Sequence, residues 1–150
     1  MKTAIEEALS NLKVMLRETN AQATIDSMPV IAANPTQMVQ LWQNLISNAV
    51  KFRKPEVRPK VHVSSEQKPS EWIFSIRDNG IGIEPQYYDR IFDIFQRLQS
   101  DYEGTGIGLA VCKKIIDFHK GRIWIESDPG QGTTFYFTIP IELEGEQYAA

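Results

Sequence analysis

Three short glycine clusters constrain this chain more than any other feature: Asp78-Asn79-Gly80-Ile81-Gly82, Gly104-Thr105-Gly106-Ile107-Gly108 and Gly130-Gln131-Gly132. Each falls at the end of an expected strand or the start of an expected helix, where a missing side chain lets backbone N–H groups approach a ligand closely. One such cluster alone reads as a turn. Three together point to loops gathered around a bound group. The middle cluster opens a helix beginning near Ile107, so its amides and the helix dipole suit anionic oxygens. Leu109 stands where a dinucleotide-binding fingerprint needs its third glycine, and polar residues rather than a strand precede Gly104, which excludes that motif. No Gly-x-x-x-x-Gly-Lys-Ser/Thr stretch occurs, which excludes the usual P-loop.

Between the clusters the apolar residues are patterned for an α/β fold. Ile5, Leu9, Leu12 and Leu16 recur at helical spacing over residues 3–19 and predict one amphipathic helix. The stretch ATIDSMPVIAANP carries short apolar groups and ends in Asn34 and Pro35, an N-cap followed by proline at the first helical position. From Met38 onward, Leu41, Trp42, Leu45, Ile46, Ala49 and Val50 form one buried helical stripe, and Asn44, Asn48 and Lys51 cluster on its flank. VHVSS and EWIFSIRD read as an antiparallel strand pair, YYDRIFDIFQRL as a short helical piece, and Ile107, Val111, Ile115 and Phe118 as a helix stopping at Gly121. GRIWIES and TTFYFTIP read as a hairpin across DPGQG. Blocks of helices and hairpins in this order predict a two-layer sandwich, a mixed and mostly antiparallel sheet covered on one face by helices. The expected division is a connecting helix over residues 1–20, one domain over 21–141 and a frayed tail over 142–150.

Composition removes several classes of function. At 150 residues the chain has room for a single core, and a formal charge of −3 argues against a broad nucleic-acid or anionic-membrane surface. No secretory signal or membrane span is visible, so a cytoplasmic domain is expected. Cys112 is the one cysteine, which rules out an internal disulfide and a cysteine-based zinc site. His62 alternates with valines on a strand and His119 ends a helix, so both have ordinary structural explanations.

With NLISNAVKF, DNGIGI, IFDIFQRL, GTGIGLA and GQGTTF in this order, residues 34–140 resemble the catalytic ATP-binding domain of sensor histidine kinases, the five stretches matching its N, G1, F, G2 and G3 boxes. The resemblance implies the Bergerat-type ATP-binding fold with a lid over the nucleotide. It implies Asn48 as the Mg²⁺ ligand, a hard carboxamide oxygen completed by phosphate and water. Lys51 corresponds to a phosphate-contacting lysine and Asp78 to the carboxylate that reads the adenine amine. Phe52 would stack beside the base, where a tyrosine is common, and Thr134 would bring a hydroxyl to the adenine edge. Gly80, Gly82 and Ile83 of the first loop, and Gly104, Thr105, Gly106, Gly108 and Leu109 of the second, complete the implied ATP contacts. Phe92 and Phe95 would anchor the lid, and Arg97 would reach the γ-phosphate.

Hydrolytic relatives carry a glutamate where this chain has Asn44, and an amide cannot take a proton from water at neutral pH. The expected activity is therefore transfer of the γ-phosphoryl group to a histidine on a separate dimerisation domain, with a receiver domain of a response regulator downstream. Neither His62 nor His119 is followed by an acidic residue, so the isolated domain, expected to be monomeric, should not phosphorylate itself. A gyrase-type ATPase and a nucleotide-responsive binding module without chemistry stand as the alternatives.

Overall fold

Asn34 and Pro35 start the helix on which the rest of the fold is assembled. In the computed structural model, which describes residues 1–88, 91, 92 and 107–141, helix α3 runs Pro35–Lys51, the third helix in chain order after α1 (Lys2–Asn11) and α2 (Lys13–Thr19). The Asn34 side chain accepts a hydrogen bond from the Gln37 N–H at 3.0 Å, satisfying one of the donors left open at a helix start. Met38, Leu41, Trp42, Leu45, Ile46, Ala49 and Val50 are buried, as the stripe predicts. The single helix expected over residues 3–19 is broken at Leu12, whose backbone (φ −102°, ψ 7°) leaves the helical region between α1 and α2.

The five strands are β1 (Gln22–Ile25), β2 (Lys60–Gln67), β3 (Glu71–Asp78), β4 (Ile123–Asp128) and β5 (Gly132–Pro140). They lie in the order β1-β2-β3-β5-β4, parallel between β1 and β2 and antiparallel elsewhere. Both expected hairpins are present; β1 is an addition, a four-residue edge strand too short to carry a period-2 signal. Val61, Val63, Phe74, Ile76, Ile125, Phe135, Phe137 and Ile139 are buried on one face of the sheet against the helices. At the centre, Trp42 meets Phe137 edge-on at 5.1 Å between ring centroids, and Phe74 stacks on Phe137, also at 5.1 Å. These rings fix α3 across the middle strands.

Helix α4 (Ile107–Phe118) packs beside α3. Its exit turns through Lys120 in the left-handed region (φ 62°), and a Cβ on Gly121 would meet the Thr138 carbonyl of β5. His119, fully buried, accepts from the Asn34 N–H through Nε2 at 3.1 Å, so the proton sits on Nδ1 and is given to the Ile115 carbonyl at 2.8 Å. The end of α4 is thereby tied to the start of α3. Of the helical piece expected over YYDRIFDIFQRL, the described part is a 3-10 turn at Pro85–Tyr87 followed by Tyr88, Ile91 and Phe92; the remainder lies outside the described residues, as does the tail over 142–150.

Candidate functional site

The C-terminal end of α3, the loop after β3 and the turn between β4 and β5 meet through their backbones. Phe52 caps α3, and its carbonyl accepts from the Ile81 N–H at 3.0 Å. The Ile81 carbonyl in turn accepts from Gly130 at 2.7 Å. Side chains are excluded at these junctions by contact: a Cβ on Gly80 would strike the Phe52 carbonyl. Gly132 combines the same kind of clash, against the Asp78 carbonyl, with φ +129°, a conformation only glycine adopts without strain. Gly82 sits against Asp128, whose carbonyl would lie 2.6 Å from an added Cβ.

Asp78 closes this junction. Its Oδ1 accepts from Gly80 N–H at 2.9 Å and from Thr133 N–H at 3.1 Å, so one carboxylate oxygen holds two loops together. Burial pushes the carboxyl up to about 6, against the two backbone hydrogen bonds that favour the anion. A half-buried carboxylate whose two loop donors both fall on Oδ1 is chemically suited to accept from a further donor such as an exocyclic amine.

Asn44, Asn48 and Lys51 lie along one flank of α3, Asn44 and Asn48 half-buried and Lys51 exposed. Beside them on α4, burial pushes the Cys112 thiol up to about 12, an effect that the nearby Asn44 side chain opposes, and its Sγ donates to the Leu41 carbonyl at 3.9 Å. Among the described residues no three His, Cys, Asp or Glu side chains form a metal cage. A divalent ion here would need ligand oxygens besides a protein amide, a pattern that suits Mg²⁺ on a polyphosphate. Ile83 and Leu109 are buried, and Phe92 packs edge-on against Phe135 at 6.2 Å. Gly108 lies in the first turn of α4. Phe95, Arg97, Gly104, Thr105 and Gly106 lie outside the described residues.

Thr134, expected to bring a hydroxyl to the adenine edge, pairs with Arg77 on one side and Glu126 on the other, on the sheet face away from the helices. Strand alternation gives the inward position to Thr133, which is buried and bonded to Asp78. Two residues escaped the sequence reading. Ser127 Oγ accepts from the Ile83 N–H at 2.6 Å and donates to the Gly132 carbonyl at 2.9 Å, and lies 2.9 Å from Thr133 Oγ1. The Tyr88 hydroxyl brackets the Ser127 backbone, donating to its carbonyl at 2.9 Å and accepting from its N–H at 3.0 Å. The available signal was the register of β4, where Ile123, Ile125 and Ser127 share the inward face and a serine follows two isoleucines.

Two glycine-bearing loops and the end of α3 meet around one desolvated carboxylate, on a sheet covered by helices on one face, and the chain belongs to the family of histidine kinase-, DNA gyrase B- and HSP90-like ATPases, whose sequence model matches residues 33–143. Its likenesses are to sensor proteins and histidine kinases. It is 55% identical over 143 residues to cyanobacterial phytochrome A of Nostoc sp., covering 94% of this chain and 19% of that protein. It is 35% identical over 144 residues to the sensor protein kinase WalK of Staphylococcus epidermidis, covering 93% of this chain and 24% of that one. The solved structure of the mycobacterial sensor histidine kinase MprB superposes with a TM-score of 0.82 at 26% identity, covering 93% and 95% of the two chains. The chain thus spans 19% and 24% of the length of these two sequence relatives.

Proposed function

We propose that this domain binds Mg²⁺-ATP and presents the γ-phosphoryl group to a histidine on a separate dimerisation domain of the same kinase. The observation that carries the reading is the Asp78 carboxylate, held by Gly80 and Thr133 at the meeting point of the loops and desolvated there. Asp78 accepts from the exocyclic amine of adenine, and Thr133, in place of Thr134, stands beside it. Phe52 covers the base. The bound ion supplies charge neutralisation across the phosphates, and Asn48 is the side chain that would hold it. Lys51, one turn along α3, offsets phosphate charge, and Arg97 is assigned to the γ-phosphate. Gly104, Thr105, Gly106, Gly108 and Leu109 cradle the phosphates at the start of α4, with Phe92 anchoring the segment before them.

Asn44 argues for transfer over hydrolysis. Its amide offers no base to an attacking water. Residues 1–20 are assigned to the connection with the dimerisation domain, 21–141 to the catalytic domain and 142–150 to a tail. No helix among the described residues is long and apolar enough to cross a membrane, and we assign the domain to the cytoplasm, monomeric in isolation, with a receiver domain as the eventual acceptor.

The test mixes the domain with radiolabelled ATP, Mg²⁺ and a dimerisation domain from the same kinase. Acid-labile, base-stable label on that partner is expected, with none on the domain incubated alone. Asn48→Ala should impair the Mg²⁺-dependent transfer more than it impairs metal-free nucleotide binding. Rapid release of inorganic phosphate with no label on the partner would overturn the reading in favour of a hydrolase.

A further inference from the structure

Ser127 holds more hydrogen-bonding traffic than its place before a turn requires. Its hydroxyl has one hydrogen and two lone pairs. The Ile83 N–H, at 2.6 Å, occupies one lone pair, and the hydrogen is directed to the Gly132 carbonyl at 2.9 Å. Thr133, directly opposite on β5, places Oγ1 2.9 Å from Ser127 Oγ. In this arrangement the second lone pair of Ser127 takes the Thr133 hydrogen, and three hydrogen bonds form. In the reverse arrangement Ser127 donates to Thr133, the Gly132 carbonyl loses its hydroxyl donor, and the hydrogen of a buried threonine is left without a partner in this group. The first arrangement is the more stable, because an unmet buried donor costs more than a made bond returns.

We propose that Ser127 fixes the hydrogen-bond polarity of Thr133, turning its hydroxyl into an acceptor beside Asp78 and thereby sharpening the preference for a 6-amino over a 6-oxo purine. The inference rests on the adenine reading of Asp78 given above. Thr133 is joined to Asp78 through its backbone N–H at 3.1 Å, and with Arg77 opposite Thr134 and Ile76 opposite Phe135 in the register, strand alternation puts both side chains on the inward sheet face. With its hydrogen committed to Ser127, Thr133 shows only lone pairs to a ligand. An exocyclic amine is then met by acceptors, whereas a 6-carbonyl faces lone pairs with no donor. Tyr88 is a positioning residue in this arrangement. By clamping the Ser127 backbone through both N–H and C=O, it holds the hydroxyl between Ile83 and Thr133.

The test compares ATP with inosine triphosphate, a 6-oxo purine of the same size, by calorimetric titration of the full chain. The wild type should favour ATP, and Ser127→Ala should lower the ATP-to-ITP affinity ratio by about three- to tenfold, the worth of one ordinary hydrogen bond. Thr133→Val should lower the ratio as well, and adding Ser127→Ala to it should lower the ratio no further. A purely structural role for Ser127 would weaken both nucleotides alike and leave the ratio where it was, and that result overturns the inference. An equal fall in the ratio with and without the Thr133 hydroxyl also overturns it. Ser127→Cys keeps bulk at the position and substitutes a weak acceptor, so it gives the same reading should the alanine variant fail to fold. If Asp78→Asn abolishes the ATP preference while Ser127→Ala and Ser127→Cys retain it, this inference alone fails. If the wild type binds both nucleotides equally, the adenine reading fails with it.

Discussion

On the proposed reading Asp78 serves binding at a cost to stability, and pH separates the two effects. Burial lifts its carboxyl from 3.8 to about 6, so between those values the folded chain holds a proton that the unfolded chain has released. Stability therefore falls as pH rises from about 4 to about 6, by up to about 3 kcal/mol, and levels off above. Asp78→Asn should remove that slope in urea unfolding followed across the same range. On the proposed reading binding runs the other way, since both loop donors hold Oδ1 and a proton would sit on Oδ2, the oxygen left for the adenine amine. The ratio of wild-type to Asp78→Asn affinity for ATP should rise from pH 5 to pH 7, with titration of the nucleotide itself cancelling between the two proteins. A ratio independent of pH would mean that the carboxylate does not touch the base.

At the level of elements, the start of α3 and the turn into β5 carry the most specific demands. Asn34→Ala removes the side-chain acceptor for Gln37 N–H and should lower the unfolding free energy by about 1 kcal/mol, with Asn34→Ser restoring most of it. Gly132→Ala should cost about 2–4 kcal/mol in the same measurement, because it forces a side chain against the Asp78 carbonyl at φ +129°. The long elements were legible in the sequence because their signals are redundant: α3 carries an N-cap, a proline and seven stripe positions that agree. β1 was not legible, since four residues at a sheet edge give no repeat, and the break at Leu12 leaves the apolar spacing of α1 and α2 intact. The same physics separates Thr133 from Thr134. In GQGTTF either threonine could follow the turn inward, and only the pairing of Ser127 with Thr133 and Asp128 with Gly132 decides which does. Ser127 and Tyr88 escaped notice because their work is done through bonds between segments distant in sequence.

Across the whole molecule, the helical layer and the sheet divide the task. Trp42, Phe74 and Phe137 lock α3 over β3 and β5, so Asn48 and Lys51 from one layer and Asp78 and Thr133 from the other are held in a fixed relation without ligand. On the proposed reading nucleotide bridges the two layers and binds the folded state alone, so at a hundredfold excess over its dissociation constant it should add about 2.7 kcal/mol to stability. On the proposed reading, Asp78 and the loops it joins recognise adenine nucleotide. Calorimetric titration of ATP into the wild-type chain and into Asp78→Asn tests this most directly. A one-site isotherm is expected for the wild type, and an affinity at least about tenfold lower for the folded variant. Equal affinity in the two proteins, or no binding by the wild type, would contradict it.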